Sequence, residues 1–376
     1  MPERHWHEAI VRSSRIVITG KGGQSQCSNV DSISPPETPQ AASSSPDTNK
    51  TIRLTKIAGA IPMKRMTMAM VLLAACAAVS AGPAIWQPAA GHTQMALWPG
   101  MPPNPNTVPG AESVRTGTKL IGGKPVTGVT NVSQPTITVY APTGPNTGAA
   151  VVVIPGGGFE GLAMDLEGTD VCDWLAPRGV TCVLLKYRVP SPPYEWRCDC
   201  RPHDLALSMP SLADTQRALR LVRAHATAWH IDPHKVGVLG FSAGGFLVAE
   251  ASTNFKRRIY TPVDPIDKES ARSDFALAIY PGHLTTDYRK LNPHIPVSKD
   301  TPPTFVLQAE NDDVDGVNQA LVYFTALKKA GVPAEMHLYA YGGHAFGLRP
   351  TQEPITHWPD LADAWMASIG IISRSP

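Results

Sequence analysis

One short stretch, residues 236–250, limits what this chain can fold into more than any other part of its sequence. An apolar run ends in Gly240-Phe241-Ser242-Ala243-Gly244, and a segment of helix-forming composition follows it. This order predicts a strand, a sharp turn at Ser242 and a helix. The glycines two residues before and after the serine suit a turn that has no room for larger side chains.

Two interpretations of Ser242 follow from this pattern. Serine is a common cap at the start of a helix, so Ser242 is either an ordinary N-cap or an exposed nucleophile on the turn. The second interpretation requires a base, an acid and an oxyanion hole from other parts of the chain. The sequence contains candidates for all three.

Apolar strands alternate with amphipathic helices on both sides of this stretch. The predicted strands are residues 136–140, 150–154, 181–188, 235–241, 275–280, 304–309 and 335–341, and the predicted helices are residues 167–178, 212–229, 317–330 and 360–371. The alternation predicts an α/β fold with a mostly parallel, doubly wound sheet and helices on both faces. In such sheets, ligands bind beyond the carboxyl ends of the strands.

A glycine-rich loop directly follows the predicted buried strand 150–154, with the sequence Pro155-Gly156-Gly157-Gly158-Phe159. Consecutive glycines allow the backbone to turn several N–H groups toward one point, which is how an oxyanion hole is built from main chain. The alternative interpretation is a flexible turn. The glycine-flanked turn at Ser242 is a second loop of this kind and carries the candidate nucleophile, which favours the oxyanion hole.

The candidate base and acid also follow strands. His344 lies in the glycine-rich segment after strand 335–341, whereas His337 lies inside that strand and His357 lies near a helix start, so His344 is the favoured base. Asp312 and Asp313 follow strand 304–309, and both remain candidates for the acid. The neighbouring acidic residues Glu310 and Asp315 are interpreted as solvated loop carboxylates, and Asp315 is also a candidate cap for the next helix.

Taken together, these motifs resemble the α/β-hydrolase esterases, and in particular the bacterial feruloyl-esterase-like and carbohydrate acetylesterase branch, which is related to the hormone-sensitive-lipase-like enzymes. The resemblance covers roughly residues 131–371. It is carried by Pro155-Gly156-Gly157-Gly158-Phe159, Glu167-Gly168, Leu185-Lys186-Tyr187-Arg188, Asp214-Thr215-Gln216-Arg217-Ala218, Gly240-Phe241-Ser242-Ala243-Gly244-Gly245, Gln308-Ala309-Glu310-Asn311-Asp312-Asp313 and Gly342-Gly343-His344-Ala345-Phe346-Gly347.

The resemblance implies a catalytic triad of Ser242, His344 and Asp312. It also implies an oxyanion hole formed by the backbone N–H groups of Gly157, Gly158 and Ala243. Pro155 replaces the histidine of the lipase-like His-Gly-Gly-Gly signature, which favours the feruloyl- and acetylesterase-like branch. The implied function is a serine carboxylic ester hydrolase that uses an acyl-enzyme and acts on short-acyl, above all acetyl, esters of carbohydrates or similar alcohols. The alternatives are a serine peptidase-like hydrolase of the same fold and a non-catalytic binding protein on this scaffold.

The N-terminal region carries export signals. Residues 1–62 have a disorder-like composition and are interpreted as a disordered or normally untranslated extension. Residues 63–81 combine a basic start, a short apolar run and a small-residue cleavage site, which predicts a signal peptide and a secreted or periplasmic protein. Leu73-Ala74-Ala75-Cys76 also resembles a lipobox, so the alternative is a lipoprotein tethered to a membrane through Cys76. Residues 82–130 are a Pro/Gly-rich lead-in, and residues 131–376 are the predicted catalytic domain.

Composition excludes several other classes of function. Thirty-three basic and 31 acidic residues are scattered along the chain, so no basic footprint for nucleic acid is visible. The 12 histidines include no H-E-x-x-H or similar spacing, and neither a metal nor another cofactor is expected. The expected ligand is a small-molecule or polysaccharide-linked ester. Export would place Cys172, Cys182, Cys198 and Cys200 in an oxidising compartment, where either disulfides or buried thiols are compatible with the sequence.

Overall fold

The computed structural model describes residues 85–373 with the exception of residues 107, 109, 190–204 and 286–288. The predicted extension at residues 1–62, the signal peptide at residues 63–81 and Cys76 therefore lie outside the described residues. So do Cys198 and Cys200. No helix within the described residues is both long enough and apolar enough to cross a bilayer.

A central sheet of eight strands organises the fold. Its strands are β1 (Thr93–Ala96), β4 (Thr136–Tyr140), β5 (Ala150–Ile154), β7 (Thr181–Lys186), β8 (Val236–Phe241), β9 (Ala276–Ile279), β10 (Thr304–Ala309) and β11 (Ala334–Tyr339). The order across the sheet is β1-β4-β7-β5-β8-β9-β10-β11. The pairs from β7 to β11 are parallel, and the β1–β4 and β4–β7 pairs are antiparallel.

The middle strands of this sheet form the core. Every residue of β5, β7, β8, β9 and β10 is buried, which requires cover on both faces of the sheet. The helices that follow or precede these strands are α1 (Asp170–Leu175), α2 (Leu205–Ala224), α3 (Ala243–Asn254), α4 (Asn318–Lys329) and α5 (Trp358–Ser368). The sheet is mostly parallel, as predicted from the alternation of strands and helices.

The predicted elements agree closely with the observed ones, with one clear correction. The strands predicted at residues 136–140, 150–154 and 304–309 have the observed bounds. The helix predicted at residues 212–229 begins earlier, at Leu205, and ends earlier, at Ala224. The helix contains Pro210 in its second turn, a residue that sequence patterns associate with helix boundaries.

A second, smaller sheet comes largely from the Pro/Gly-rich lead-in, whose sequence pattern predicts no strands. Its strands are β2 (Ser113–Ile121), β3 (Lys124–Thr130) and β6 (Gly161–Ala163), in the order β2-β3-β6. β2 and β3 form an antiparallel hairpin around Gly122-Gly123. β6 follows the glycine-rich loop, so this sheet connects the lead-in to the candidate oxyanion hole.

One disulfide and one buried ion pair attach neighbouring elements to the central sheet. Cys172 on α1 and Cys182 on β7 form a disulfide, with their Cα atoms 5.2 Å apart. Arg188 and Asp214 form an ion pair in which both side chains are fully buried. Trp98 donates its indole N–H to the same Asp214 carboxylate at 2.8 Å, so this ion pair also holds the lead-in against the domain.

Candidate active site

The predicted strand, sharp turn and helix are present around Ser242. β8 ends at Phe241 and α3 begins at Ala243, and Ser242 between them has a φ of 51° and a ψ of −120°. This conformation is rare for residues other than glycine. Glycine is required on both sides: a Cβ at Gly240 would lie 2.3 Å from the Gly244 carbonyl oxygen, and a Cβ at Gly244 would lie 2.0 Å from the Ile154 carbonyl oxygen.

The side chain of Ser242 does not cap the helix that follows. Ser242 occupies the N-cap position of α3, but its hydroxyl makes no capping hydrogen bond. Its Oγ lies instead 2.9 Å from Nε2 of His344. The Ser242 hydroxyl therefore contacts His344 instead of capping α3.

His344 connects the serine to a buried carboxylate. Its Nδ1 lies 2.7 Å from Oδ2 of Asp312, opposite the contact with Ser242. A proton on Nδ1 is donated to Asp312, which leaves Nε2 free to accept the Ser242 hydroxyl hydrogen. The three side chains thus form a continuous hydrogen-bonded chain.

Of the two candidate acids, only Asp312 contacts the histidine. Its Oδ1 accepts the backbone N–H groups of Val314 and Asp315 at 2.9 Å each, and its Oδ2 accepts Nε2–H of Gln308 at 3.0 Å. These three donors fix the orientation of the carboxylate. Asp313 is exposed to solvent.

The rival histidines lie elsewhere. His337 on β11 contacts Oε1 of Glu335 at 2.8 Å. His357 is largely exposed and lies 3.7 Å from Asp360. Neither of these two histidines contacts Ser242.

Asp315 corrects the sequence-based expectation, because it is neither a solvated carboxylate nor a helix cap. Its side chain is only 6% exposed, and its Oδ2 lies 3.8 Å from Nε2 of His344. The N-cap position of α4 is Val317, which has no side-chain cap. The sequence around Asp315 is that of an ordinary loop, so nothing in it indicates that this carboxylate is buried next to His344.

The environment of His344 controls its protonation. Burial by itself lowers the pKa of the imidazole. The hydrogen bond to Asp312 and the negative charges of Asp315 and Glu167 oppose this effect and raise the pKa above its ordinary value. The imidazolium form is therefore stabilised, as expected for a base that must hold a proton during a reaction.

Two consecutive residues of the glycine loop have positive φ angles. Gly157 and Gly158 have φ values of 127° and 64°, and a Cβ at Gly157 would lie 2.2 Å from the carbonyl oxygen of Gly161. Within the described part of the chain, the N–H groups of Gly157 and Gly158 have no hydrogen-bond acceptor. Both glycines line the same pocket as Ser242 and His344, so these N–H groups remain available to a ligand.

The pocket at this site is largely apolar. Its volume is about 420 Å³. Ile121 and Val126, from the β2–β3 hairpin, form part of its wall together with Ala163 and Leu166. Glu160, Glu167, His283 and Asp315 are the polar side chains around Ser242 and His344. The hairpin was missed from the sequence, although Gly122-Gly123 between two extended runs is a signal for a tight turn.

The sequence also suggests Tyr194, Trp196, Tyr280, His283, Arg349 and Trp358 as residues at the rim of the site, and most of those that the structure describes have other positions. His283 lines the pocket as expected, but Tyr280 lies buried below it. Arg349 is buried in ion pairs with Asp165 and Asp170, and Trp358 is fully buried, so neither reaches the rim. Tyr194 and Trp196 lie outside the described residues. Aromatic residues at the ends of strands proved to be core residues, which is their commoner role.

The part of the chain that the structure describes contains no cluster of three or more His, Cys, Asp or Glu side chains arranged to hold a metal ion.

Family models match the region that contains this site. The model of the prolyl oligopeptidase family matches residues 211–369, which include Ser242, Asp312 and His344. The BD-FAE model matches residues 137–281, which include the glycine loop and Ser242.

Individual proteins show the same relationship. An acetylxylan esterase from Xylanibacter ruminicola is 28% identical over 222 residues, which are 56% of this chain and 43% of the relative. An endo-1,4-beta-xylanase B from Butyrivibrio fibrisolvens is 27% identical over 217 residues, or 52% of this chain and 32% of the relative. This chain thus spans less than half the length of these two curated relatives.

Solved structures show the fold and the family. A thermophilic esterase from Thermogutta terrifontis, solved with butyrate bound, has a TM-score of 0.51 at 20% identity, covering 65% of this chain and 92% of that one, which shows the shared fold. The acetyl ester-xyloside bifunctional hydrolase from Caldicellulosiruptor lactoaceticus is 32% identical with a TM-score of 0.53, covering 64% of this chain and 90% of that one. With the site geometry described above, this similarity establishes that the chain belongs to the α/β-hydrolase family of serine esterases, in the branch of feruloyl- and acetylesterase-like enzymes.

Proposed function

We propose that this protein is a serine carboxylic ester hydrolase that acts through an acyl-enzyme on short-acyl, above all acetyl, esters of carbohydrates. The observation that carries the proposal is the chain of contacts from Ser242 Oγ to His344 Nε2 at 2.9 Å and from His344 Nδ1 to Asp312 Oδ2 at 2.7 Å. This arrangement activates a serine hydroxyl for attack on a carbonyl carbon.

In the proposed mechanism, His344 accepts the hydroxyl proton while Ser242 Oγ forms a bond to the ester carbonyl carbon. The carbonyl oxygen becomes an oxyanion, which the N–H groups of Gly157, Gly158 and Ala243 stabilise. His344 then gives its proton to the leaving alcohol, and the acyl group remains on Ser242. A water molecule, deprotonated by the same histidine, releases the acid and restores the serine.

The substrate class is supported by the pocket and by the relatives. The largely apolar pocket of about 420 Å³ has room for a short acyl group and part of its alcohol. The acetylxylan esterase and the acetyl ester-xyloside hydrolase are named for acetyl esters on sugars. Together these observations favour acetylated xylan or its oligosaccharides as the substrate.

Hydrolysis of p-nitrophenyl acetate tests the reaction. We expect the wild-type protein to be active and Ser242→Ala to lose at least about 1,000-fold in kcat, because no nucleophile remains. Equal rates for the two proteins would reject the serine mechanism and favour a non-catalytic scaffold. A series of p-nitrophenyl esters from acetate to octanoate, together with acetylated xylan, then tests the acyl length and the alcohol.

A peptidase activity is the second candidate, because the prolyl oligopeptidase family model covers all three residues of the site. A peptide p-nitroanilide assay distinguishes the two. Cleavage of the anilide at a rate comparable to that of the acetate ester would favour the peptidase, whereas we expect the ester alone to be hydrolysed efficiently.

We also propose that the protein is exported, with cleavage after Ala81, and the alternative is a lipid anchor on Cys76. The disulfide between Cys172 and Cys182 supports export, since such bonds persist in oxidising compartments. Amino-terminal sequencing of the mature protein tests this. A start at Gly82 is expected, and a blocked, lipidated Cys76 would instead establish the membrane-tethered form.

A further inference from the structure

A buried glutamate beneath the pocket joins the two loops on which the proposed reaction depends. Glu167 lies in a π-helical turn, Asp165–Thr169, and is only 2% exposed. Its Oε2 accepts the backbone N–H of Gly156 at 2.7 Å, at the start of the glycine loop. Its Oε1 accepts the hydroxyl hydrogen of Tyr280 at 2.8 Å.

Tyr280 carries this connection to the loop that holds the histidine. Its hydroxyl oxygen accepts the backbone N–H of Gly347 at 3.1 Å, three residues after His344. Its ring contacts the rings of His344 and Phe346 edge-on, with centroids 5.0 and 4.6 Å away. Glu167 and Tyr280 therefore link the glycine loop to the loop at residues 342–347, which holds His344 and is called the histidine loop below.

The backbone at this link is strained. Tyr280 has a φ of 36° and Ala345 a φ of 57°, and both values are unfavourable for residues with a side chain. Such conformations cost about 1–3 kcal/mol each and persist only where surrounding contacts enforce them. The hydrogen bonds to Glu167 and Gly347 are the polar contacts that hold the Tyr280 hydroxyl in place.

Placing a carboxylate here is unfavourable unless hydrogen bonds satisfy it. Burial raises the pKa of Glu167 above its ordinary value, and the Tyr280 hydroxyl, the charge of His344 and the Gly156 N–H offset only part of this rise. An apolar side chain would avoid the desolvation cost but could not accept either hydrogen bond. The carboxylate therefore serves a requirement other than filling space.

We propose that Glu167 is a positioning residue that sets the distance between the glycine loop and the histidine loop. It acts on the glycine loop directly through Gly156 and on the histidine loop indirectly through Tyr280 and Gly347. This inference rests on the proposed function. Oxyanion donors act only within about 2.7–3.1 Å of the developing charge. A displacement of about 1 Å costs on the order of 100-fold in rate, so a shared tether between the two loops has direct consequences for catalysis.

Two substitutions separate the two connections. Tyr280→Phe removes the link to Gly347 and leaves the contact between Glu167 and Gly156. Glu167→Gln keeps an oxygen for Gly156 but replaces the acceptor that faces Tyr280 with a donor. Tyr323→Phe, at a fully buried tyrosine on α4, is the matched control for loss of a buried hydroxyl.

The measurements are kcat and KM for p-nitrophenyl acetate and the rate at which a fluorophosphonate reacts with Ser242, losing fluoride. Melting temperatures show that each variant is folded. We expect kcat and the phosphonylation rate to fall about 10-fold in Tyr280→Phe and about 10- to 100-fold in Glu167→Gln. KM should change less than about threefold, because the lost interactions act in the transition state. Tyr323→Phe should retain wild-type rates.

The double variant that combines Glu167→Gln with Tyr280→Phe gives a second test of the positioning role. Because both residues act through one network, the double substitution should cost less than the product of the two single effects. The positioning role would be overturned if Glu167→Gln, Tyr280→Phe and the double variant all kept the rates of Tyr323→Phe. It would also be overturned if Tyr280→Phe and Tyr323→Phe lost equal amounts of kcat and of stability. A wild-type protein that neither hydrolyses the ester nor reacts with the fluorophosphonate would instead overturn the proposed function itself.

Discussion

At the scale of single residues, the chemistry of the site depends on how carboxylates surround His344. Asp312 contacts Nδ1, and Asp315 lies 3.8 Å from Nε2. The two acids occupy different sides of the same ring. They therefore have different expected roles: Asp312 orients the imidazole and fixes its tautomer, whereas Asp315 acts on it only through its charge.

Replacing Asp312 should be far more damaging than replacing its neighbour. We expect Asp312→Asn to lower kcat by roughly 10⁴-fold, because an amide at this position no longer stabilises the tautomer with a proton on Nδ1. Asp313→Asn is the matched control, since Asp313 is exposed and contacts neither His344 nor Ser242. Steady-state kinetics on p-nitrophenyl acetate measure both. A large loss in Asp313→Asn would contradict this assignment of the acid.

The charge of Asp315 should appear in the pH dependence of the reaction. His344 must be neutral to accept the serine proton, so its pKa sets the acidic limb of the kcat/KM profile. Burial lowers this pKa, and the carboxylates of Asp312, Asp315 and Glu167 raise it. In Asp315→Asn one negative charge is lost, the pKa of His344 falls, and the acidic limb should move to lower pH. An unchanged profile, or a shift to higher pH, would show that Asp315 does not act on His344 through its charge.

Steric constraint on the glycine loop gives another prediction at this scale. Gly157 has a φ of 127°, and a Cβ there would lie 2.2 Å from the Gly161 carbonyl oxygen. Gly157→Ala should therefore displace the oxyanion donors and reduce kcat by about 100- to 1,000-fold. Gly100→Ala, where a Cβ would meet no atom within 4 Å, is the control. Retained activity in Gly157→Ala would remove the loop from the proposed oxyanion hole.

At the scale of elements, the β2–β3 hairpin is the element that most changes the expected site. Ile121 at the end of β2 and Val126 on β3 line the pocket, although neither was a candidate from the sequence. Elements with long buried runs were predicted correctly because their pattern is local. β2 has no such run: most of its residues are exposed, and its position depends on pairing with β3 rather than on hydrophobic periodicity.

The hairpin should restrict acyl length. We expect Ile121→Ala to raise kcat/KM for p-nitrophenyl butyrate relative to acetate by about 10-fold. The substitution removes about three carbon atoms from an apolar wall and so enlarges the pocket. Leu120→Ala is the matched control, since Leu120 is 58% exposed and does not line the pocket. An unchanged ratio in Ile121→Ala would place the acyl group against another wall.

At the scale of the whole molecule, stability depends on a buried ion pair that joins distant parts of the chain. Arg188 follows β7 and Asp214 lies on α2, and both side chains are fully buried. The same carboxylate accepts the indole N–H of Trp98 in the lead-in. The guanidinium also donates to the carbonyl oxygens of Pro103 and Asn104. The lead-in is thereby attached to the domain by buried polar contacts.

Asp214→Ala should lower the free energy of unfolding by about 3–5 kcal/mol, because it leaves the Arg188 charge buried without its partner. The control is Asp363→Ala, which removes the partly exposed ion pair with Arg178 and should cost less than about 1 kcal/mol. Denaturant unfolding measures both. Equal losses for the two variants would show that burial does not determine the strength of these ion pairs.

The sequence by itself determined the class of fold and the order of the main strands and helices, because buried strands, amphipathic helices and glycine-rich turns leave local patterns. It also identified Ser242 and His344 as candidates, since each follows its own strand. The family resemblance favoured Asp312 over Asp313, and the structure adds that Asp312 is the one of the two that contacts His344. Tertiary packing alone brings Asp315 and Glu167 toward the histidine and places the hairpin against the pocket. These features depend on contacts between residues far apart in the chain, where the geometry of the packed sheet, not the local pattern, decides which side chains meet.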